Sequence, residues 1–262
     1  MAGETQTGMF LCNDCRDKFT ARVGSVMARS HIPVHKWLLV MHLMAASKKG
    51  MSSKQLQRML GVSYKSAWFL SIRIREAMTP LAKSVTPLGG AGKVIESDET
   101  FVGGKKKNVH KGKPEPKKHA VHALVERGGP IRVKHVADVT AKTLRDNLVT
   151  MASRKSELHT DQALAYDHIG KEFAKHKSVN HSLDEYFKDG AGVQSAEAFF
   201  AILKRGVYGT FHSVSEAHLQ KYCNEFAFRW NTRSSLGIED TQRAEEMLKG
   251  IEGKRLTYRP TN

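Results

Sequence analysis

Apolar residues recur at two different spacings along this chain, and the spacing changes near residue 93. Before it, the intervals are helical. "SHIPVHKWLLVMHLMAASKKG" places Pro33 at a helix start, follows it with a long apolar stretch and stops at Lys-Lys-Gly. "SSKQLQRMLGVSYKSAWFLSIRIREAM" offers Ser52 or Ser53 as an N-cap, a short helix, a Gly61-Val62-Ser63 turn and a second helix from about Tyr64 to Met78. Leu56, Met59 and Leu60 repeat at helical spacing, as do Trp68, Ile72 and Arg75, and Arg73 and Arg75 are expected to project to the sides. The Pro- and Gly-rich run ending at Gly92 reads as a linker.

From Lys93 the pattern is that of strands. "KVIESDETFVG", "KHAVHALVERG" and "PIRVKHVADV" are three runs separated by Gly- or Pro-containing loops. "TAKTLRDNLVTMA" then predicts a helix capped by Thr140, "SELHTD" and "HKSVNHS" two short strands, and "SAEAFFAILKRGVYG" and "SEAHLQKYCNEFAFRWNTR" two further helices. The sum is a mixed α/β domain opening with a meander. The expected organisation is a short cysteine-containing segment (1–22), a helical module (23–80), a linker (81–92), an α/β domain (93–240) and a tail (241–262).

Charge narrows the function. The 262 residues carry 42 Lys+Arg against 26 Asp+Glu, a formal net charge of +16, which calls for a polyanionic partner, usually nucleic acid. No apolar run approaches the roughly 20 residues a membrane span needs, and "MAGETQTGMF" lacks the features of a signal peptide. Three cysteines argue against a disulfide framework and for a reducing compartment, so a cytoplasmic protein is expected.

Three carboxylates stand where they can face a crevice beside the sheet. Asp98 lies near the end of the first strand of this domain, Asp161 ends the fourth and Glu197 opens a helix. Such a set suits Mg²⁺ (or Mn²⁺), a hard cation that shares oxygen ligands with phosphates, and paired ions of this kind support phosphoryl transfer. Lys204, seven residues beyond Glu197, shares its helix face and can meet a substrate phosphate. Each acid also has an ordinary reading: a solvated strand end, a helix N-cap at Asp161, or a dipole-favoured acid at Glu197. Glu96 and Glu99 flank Asp98 and are expected on the other sheet face. "GGKKKNVHKGKPEPKK" reads as an exposed loop whose Lys105, Lys106, Lys107, Lys111 and Lys113 can neutralise DNA phosphates beside Asp98. In the helical module, the pair over 52–78 reads as a helix-turn-helix with Lys65, Arg73 and Arg75 contacting DNA. Trp230 reads as core, and Cys223 as a buried thiol.

"ESDETFVGGKKKN", "LHTDQALAY", "SAEAFFAILKRGVYGTFHSVSEAHLQKYCNEFAFRWNTR" and the helical stretch over 35–78, in this order and at these intervals, resemble the ISXO-type DDE transposases of bacterial insertion sequences. The resemblance runs from about Phe10 to Arg233. It implies an RNase H-like mixed sheet with flanking helices, preceded by the helix-turn-helix module. It also implies a divalent-metal site on Asp98, Asp161 and Glu197 with Lys204 beside it, and strand cleavage and transfer on double-stranded DNA. The DNA would be the element's terminal repeats and its target, and the protein a homo-oligomer on it. Two departures stand out. Family members usually carry Asn three residues before the glutamate, where this chain has Gln194. The family's four-cysteine zinc ribbon is represented by Cys12 and Cys15 alone, so no intact zinc site is expected, and His31 and His35 have the spacing of a helix face rather than of missing ligands. A nuclease that cuts without joining and a non-catalytic DNA-binding protein remain the competing readings.

Overall fold

The computed structural model describes residues 3–6, 8–80, 86–104, 112, 114, 117–161, 164–179 and 190–254. The chain divides into two compact units, one formed by residues 1–81 together with 234–262, the other by 82–233.

The first unit begins with a small antiparallel sheet, β1 (Gly3–Gln6), β2 (Met9–Leu11) and β3 (Lys18–Phe19). The turn between β2 and β3 carries Cys12 and Cys15. Its backbone N–H groups at Cys15 and Asp14 are turned onto the Cys12 sulfur and hold that thiol below its ordinary pKa. Three helices follow: α1 (Val34–Ala46), α2 (Ser53–Leu60) and α3 (Tyr64–Ala77). Local chemistry fixes the α2–α3 turn. Ser52 Oγ accepts from the Gln55 N–H at 3.2 Å, Ser63 Oγ accepts from the Ser66 N–H at 3.1 Å, and Gly61 ends α2 at φ +61°, a conformation costly for any residue with a Cβ.

The segment expected as a tail is instead part of this unit. Residues 240–249 form α7 (Asp240–Lys249), which packs on α1 and α3. Met247 is fully buried, the Arg243 guanidinium donates to the Ala45 carbonyl at 3.1 Å, and Lys254 Nζ donates to the Glu76 and Ala77 carbonyls at 3.0 and 3.2 Å. These bonds reach carbonyls in the last turns of α1 and α3, where the helical ladder runs out.

The second unit is a five-stranded mixed sheet in the order β6-β5-β4-β7-β8. Its strands are β4 (Val94–Gly103), β5 (Lys118–Glu126), β6 (Ile131–Val136), β7 (Glu157–Asp161) and β8 (Lys175–Val179). β4, β5 and β6 form the antiparallel meander, while β7 and β8 add parallel to β4. Helix α4 (Ala141–Met151) covers one face, with Leu144 and Leu148 against Ile95, Leu124 and Leu158. Helices α5 (Gln194–Gly206) and α6 (Glu216–Asn231) cover the other, with Phe199, Leu203 and Phe226 against Val121, Ala123 and Val125. Alternation along β5 explains this division, because odd-numbered residues face α5 and α6 while Leu124 faces α4. Cys223 and Trp230 join the α5–α6 side, and burial pushes the Cys223 thiol up to about 12. Helix α5 stops at Gly206, three residues short of the expected end. The chain there widens into a π-helical turn, Val207–Phe211. A Cβ on Gly206 would sit 2.1 Å from the Phe226 ring, so glycine is what lets α5 and α6 approach. Among the described residues no helix is long and apolar enough to cross a membrane.

Candidate active site

The parallel pairing of β4 with β7 places two of the three candidate acids. Ser97 is registered with Thr160, so Asp98 and Asp161 are the next residues on neighbouring parallel strands and point to the same face. Both are half-buried, and Asp98 Oδ1 accepts the Glu99 N–H at 2.8 Å. That face is the one covered by α5, whose first turn carries Glu197.

Glu96 fixes where α5 begins. Its carboxylate is almost fully buried, and Oε2 accepts the N–H groups of Ser195 (2.7 Å) and Ala196 (3.3 Å), while Oε1 accepts the Ser195 hydroxyl (3.2 Å) and Arg127 Nε (2.8 Å). A strand carboxylate thus caps a helix N-terminus, satisfying two orphan donors and complementing the helix dipole. Arg127 ties the approach to the helix as well, donating to the carbonyls of Gly190 and Gly192, each at 3.0 Å, and to His159 Nδ1 at 3.0 Å. Arginine has only donors, so His159 Nδ1 accepts, and its proton sits on Nε2, bonded to Glu157 Oε1 at 2.9 Å. Glu197 follows Ala196 directly, so this network carries Glu197 to the side of β4 on which Asp98 lies.

The expectation for Glu96 is corrected here. Two residues before Asp98, it shares the face of Asp98, as period-two alternation requires. Glu99 does lie on the other face. It accepts a hydrogen bond from the Tyr166 hydroxyl, which also meets Ser97 Oγ at 3.0 Å, and Ser97 Oγ in turn meets His122 Nε2 at 2.9 Å. Burial raises Glu99 to about 7, with the negative charges of Asp98 and Asp161 acting in the same direction against the Tyr166 bond. Burial also drives His122 down to about 3, so its ring is neutral.

Lys204 lies on α5 in its last turn, two turns beyond Glu197 and half-buried, and Gln194 opens the helix in an exposed position. Lys105, Lys106, Lys107, Lys111 and Lys113 lie outside the described residues. In the first unit Lys65 is exposed, but Arg73 and Arg75 are not at the surface. They are 5% and 1% exposed, Arg73 donates to the carbonyls of Val26 and Ala28, both at 2.7 Å, and its guanidinium stacks on Phe69 at 4.2 Å. Both arginines belong to the interior because α3 is enclosed on every side over residues 70–75.

Residues 87–231, which contain every strand of the five-stranded sheet and both helices packed on the Asp98 face, match the ISXO2-like transposase domain. The chain belongs to that transposase family. It is also similar to the uncharacterized protein in transposable element ISH50 of Halobacterium salinarum, 25% identical over 238 residues that cover 84% of this chain and 77% of the relative. Among solved structures it is similar to a Mos1 transposase paired-end complex with the left transposon end, at 13% identity over 77% of each chain. The TM-score of 0.24 is too low to show a shared fold.

Proposed function

We propose that this protein is a DDE-type DNA transposase. In this reading the second unit is an RNase H-like catalytic domain, and the first unit binds the ends of the element that encodes it. The observation that supports this best is the register of β4 on β7, which sets Asp98 beside Asp161, together with the Glu96 cap that anchors the helix bearing Glu197. The strand order, three antiparallel strands extended by two parallel ones, agrees with the RNase H-like reading.

The residues suit hard divalent cations. The donors are carboxylate oxygens, and the charges of Asp98 and Asp161 are felt as far as Glu99, so cations would relieve a concentration of negative charge. Asp98, Asp161 and Glu197 would hold Mg²⁺ or Mn²⁺, which when bound supply charge stabilisation at the attacking and leaving oxygens of an in-line displacement. The chain's own groups do the positioning. Glu96 and Arg127 hold α5 in place, and Lys204 meets a non-bridging phosphate oxygen. In the first reaction water attacks the phosphodiester at the element end, the P–O3′ bond breaks and a 3′-OH is released. In the second, that 3′-OH attacks a target phosphodiester, forming a new P–O bond and releasing the target strand's 3′-OH. The exposed Lys65 and the lysines over 105–113 would contact phosphates, and pairing of two element ends calls for at least two protomers on the DNA.

Strand transfer tests this reading. Purified protein, Mg²⁺, a labelled duplex carrying the element ends and a target plasmid are incubated beside the Asp98→Ala variant. Joined product from the wild type alone is expected, with DNA binding retained by the variant. Cleavage retained by Asp98→Ala refutes the assignment, and cleavage without joining by the wild type identifies a nuclease.

A further inference from the structure

Two histidines and a glutamate meet about 13 Å along the sheet from Asp98, four residues further on β4. His119 is on β5, His135 on the neighbouring β6, and Glu216 is the first residue of α6. Their ligating atoms all lie within 4.8 Å of one another, and His119 Nδ1 is 3.6 Å from Glu216 Oε1. Tetrahedral Zn²⁺ with ligands at about 2.0–2.2 Å sets neighbouring donors about 3.4 Å apart, so small side-chain rotations close the set. We propose that His119, His135 and Glu216 form a transition-metal site, taking Zn²⁺, separate from the carboxylate cluster.

Three observations carry this. The two carboxylate oxygens of Glu216 face different partners. Oε1 faces His119, while Oε2 accepts from Lys117 Nζ at 2.9 Å, so a metal can take Oε1 with the lysine bond intact. The backbone around the ligands is already fixed: one turn after Glu216, Gln220 accepts the His135 N–H at 2.7 Å and donates to the Val133 carbonyl at 3.0 Å, locking α6 onto β6. His119 also lines a cavity of about 470 Å³ shared with Lys117, Tyr208 and His212, which leaves room for a fourth ligand, a water or an anion. Two imidazoles and one carboxylate favour Zn²⁺ over Mg²⁺, which prefers oxygen donors throughout.

The test is Zn²⁺ titration of the full chain by calorimetry, with Mg²⁺ in large excess to saturate the carboxylate cluster. It compares wild type with His119→Ala, His135→Ala and Glu216→Gln, and with Asp98→Asn and the double variant Cys12→Ser/Cys15→Ser as controls. Wild type and both controls should bind one equivalent of Zn²⁺ that the three site variants bind at least about 100-fold more weakly, the upper end of what even outer-shell changes cost. Glu216 is exposed, so Glu216→Gln keeps the test clear of folding defects, and its melting temperature should no longer rise on adding Zn²⁺. Superimposable isotherms, or loss of the equivalent only in Asp98→Asn or in the cysteine variant, overturn the proposal.

Discussion

Replacing Glu96 by glutamine tests whether a buried strand carboxylate sets the position of α5. The amide has one oxygen where the carboxylate has two. If that oxygen keeps the Ser195 and Ala196 N–H groups, the NH₂ faces Arg127 Nε–H, donor against donor. If it is turned the other way, two backbone donors at the helix start lose their acceptor. Breaking one side of a buried ion pair costs about 3–5 kcal/mol, and because the Arg127 side chain is 34% exposed, water recovers part of that, which points to the lower end, about 3 kcal/mol. The loss is local, so hydrogen exchange reads it directly: amides over 193–198 should exchange roughly 100-fold faster, about two factors of ten at 1.4 kcal/mol each. A displacement of Glu197 by about 1 Å would lower DNA cleavage by about 10²-fold. Protection and cleavage both unchanged in Glu96→Gln would refute the claim that this cap positions Glu197.

Three further outcomes are expected. Gly206→Ala should lower the melting temperature of the second unit, because the new methyl meets the Phe226 ring and overpacking costs about 1–3 kcal/mol. The two shifted groups beneath the sheet act in opposite senses. His122, lowered to about 3, binds fewer protons folded than unfolded and removes stability as pH falls below 6.5, whereas Glu99, raised to about 7, binds more and adds stability as pH falls from 7 to 4.5. Glu99→Gln in EDTA should therefore steepen the acid loss of stability between pH 6.5 and 4.5 by about 1.4 kcal/mol per pH unit, measured by urea unfolding, and a slope equal to wild type would show that the two groups do not oppose each other. Lys65→Ala should reduce the salt slope of DNA binding by about 1 without changing stability, whereas Arg73→Met should lower the melting temperature, and the reverse pattern would return Arg73 to the DNA interface.

The five strands of the second unit and most helices were legible in the sequence because period-two runs and capping residues such as Ser52 and Thr140 act over a few residues, whereas β1, β2 and β3 were not. Asp161 could be singled out because it closes β7, whereas Asp98, expected near a strand end, lies in the middle of β4, which runs on to Gly103; their adjacency comes from the parallel register of β7 on β4, a long-range pairing that no local pattern encodes. Arg73 and Arg75 were misread because a charged residue on a helix suggests a solvent face. Their burial depends on partners far along the chain, such as the Val26 and Ala28 carbonyls that receive Arg73. Glu96 was assigned the wrong face although a separation of two residues from Asp98 means the same face, and its task is seen only once α5 arrives. The grouping of His119 and His135 with Glu216 needs β5, β6 and α6 together, and spacing gives no sign of it.

The first unit is made from both ends of the chain, with the whole of the second unit lying between them in sequence. During synthesis the ribosome must therefore deliver all of β4 through α6 before α7 can reach α1 and α3. Domains fold as units while the chain emerges, so the five-stranded sheet can be finished while the helical unit still lacks its closing helix. A chain stopped at Arg233 should keep the sheet and lose the packing of α7 on α1 and α3. The helical unit is thus the last part of the molecule to mature, and a prematurely ended chain would carry the carboxylates without a stable partner unit.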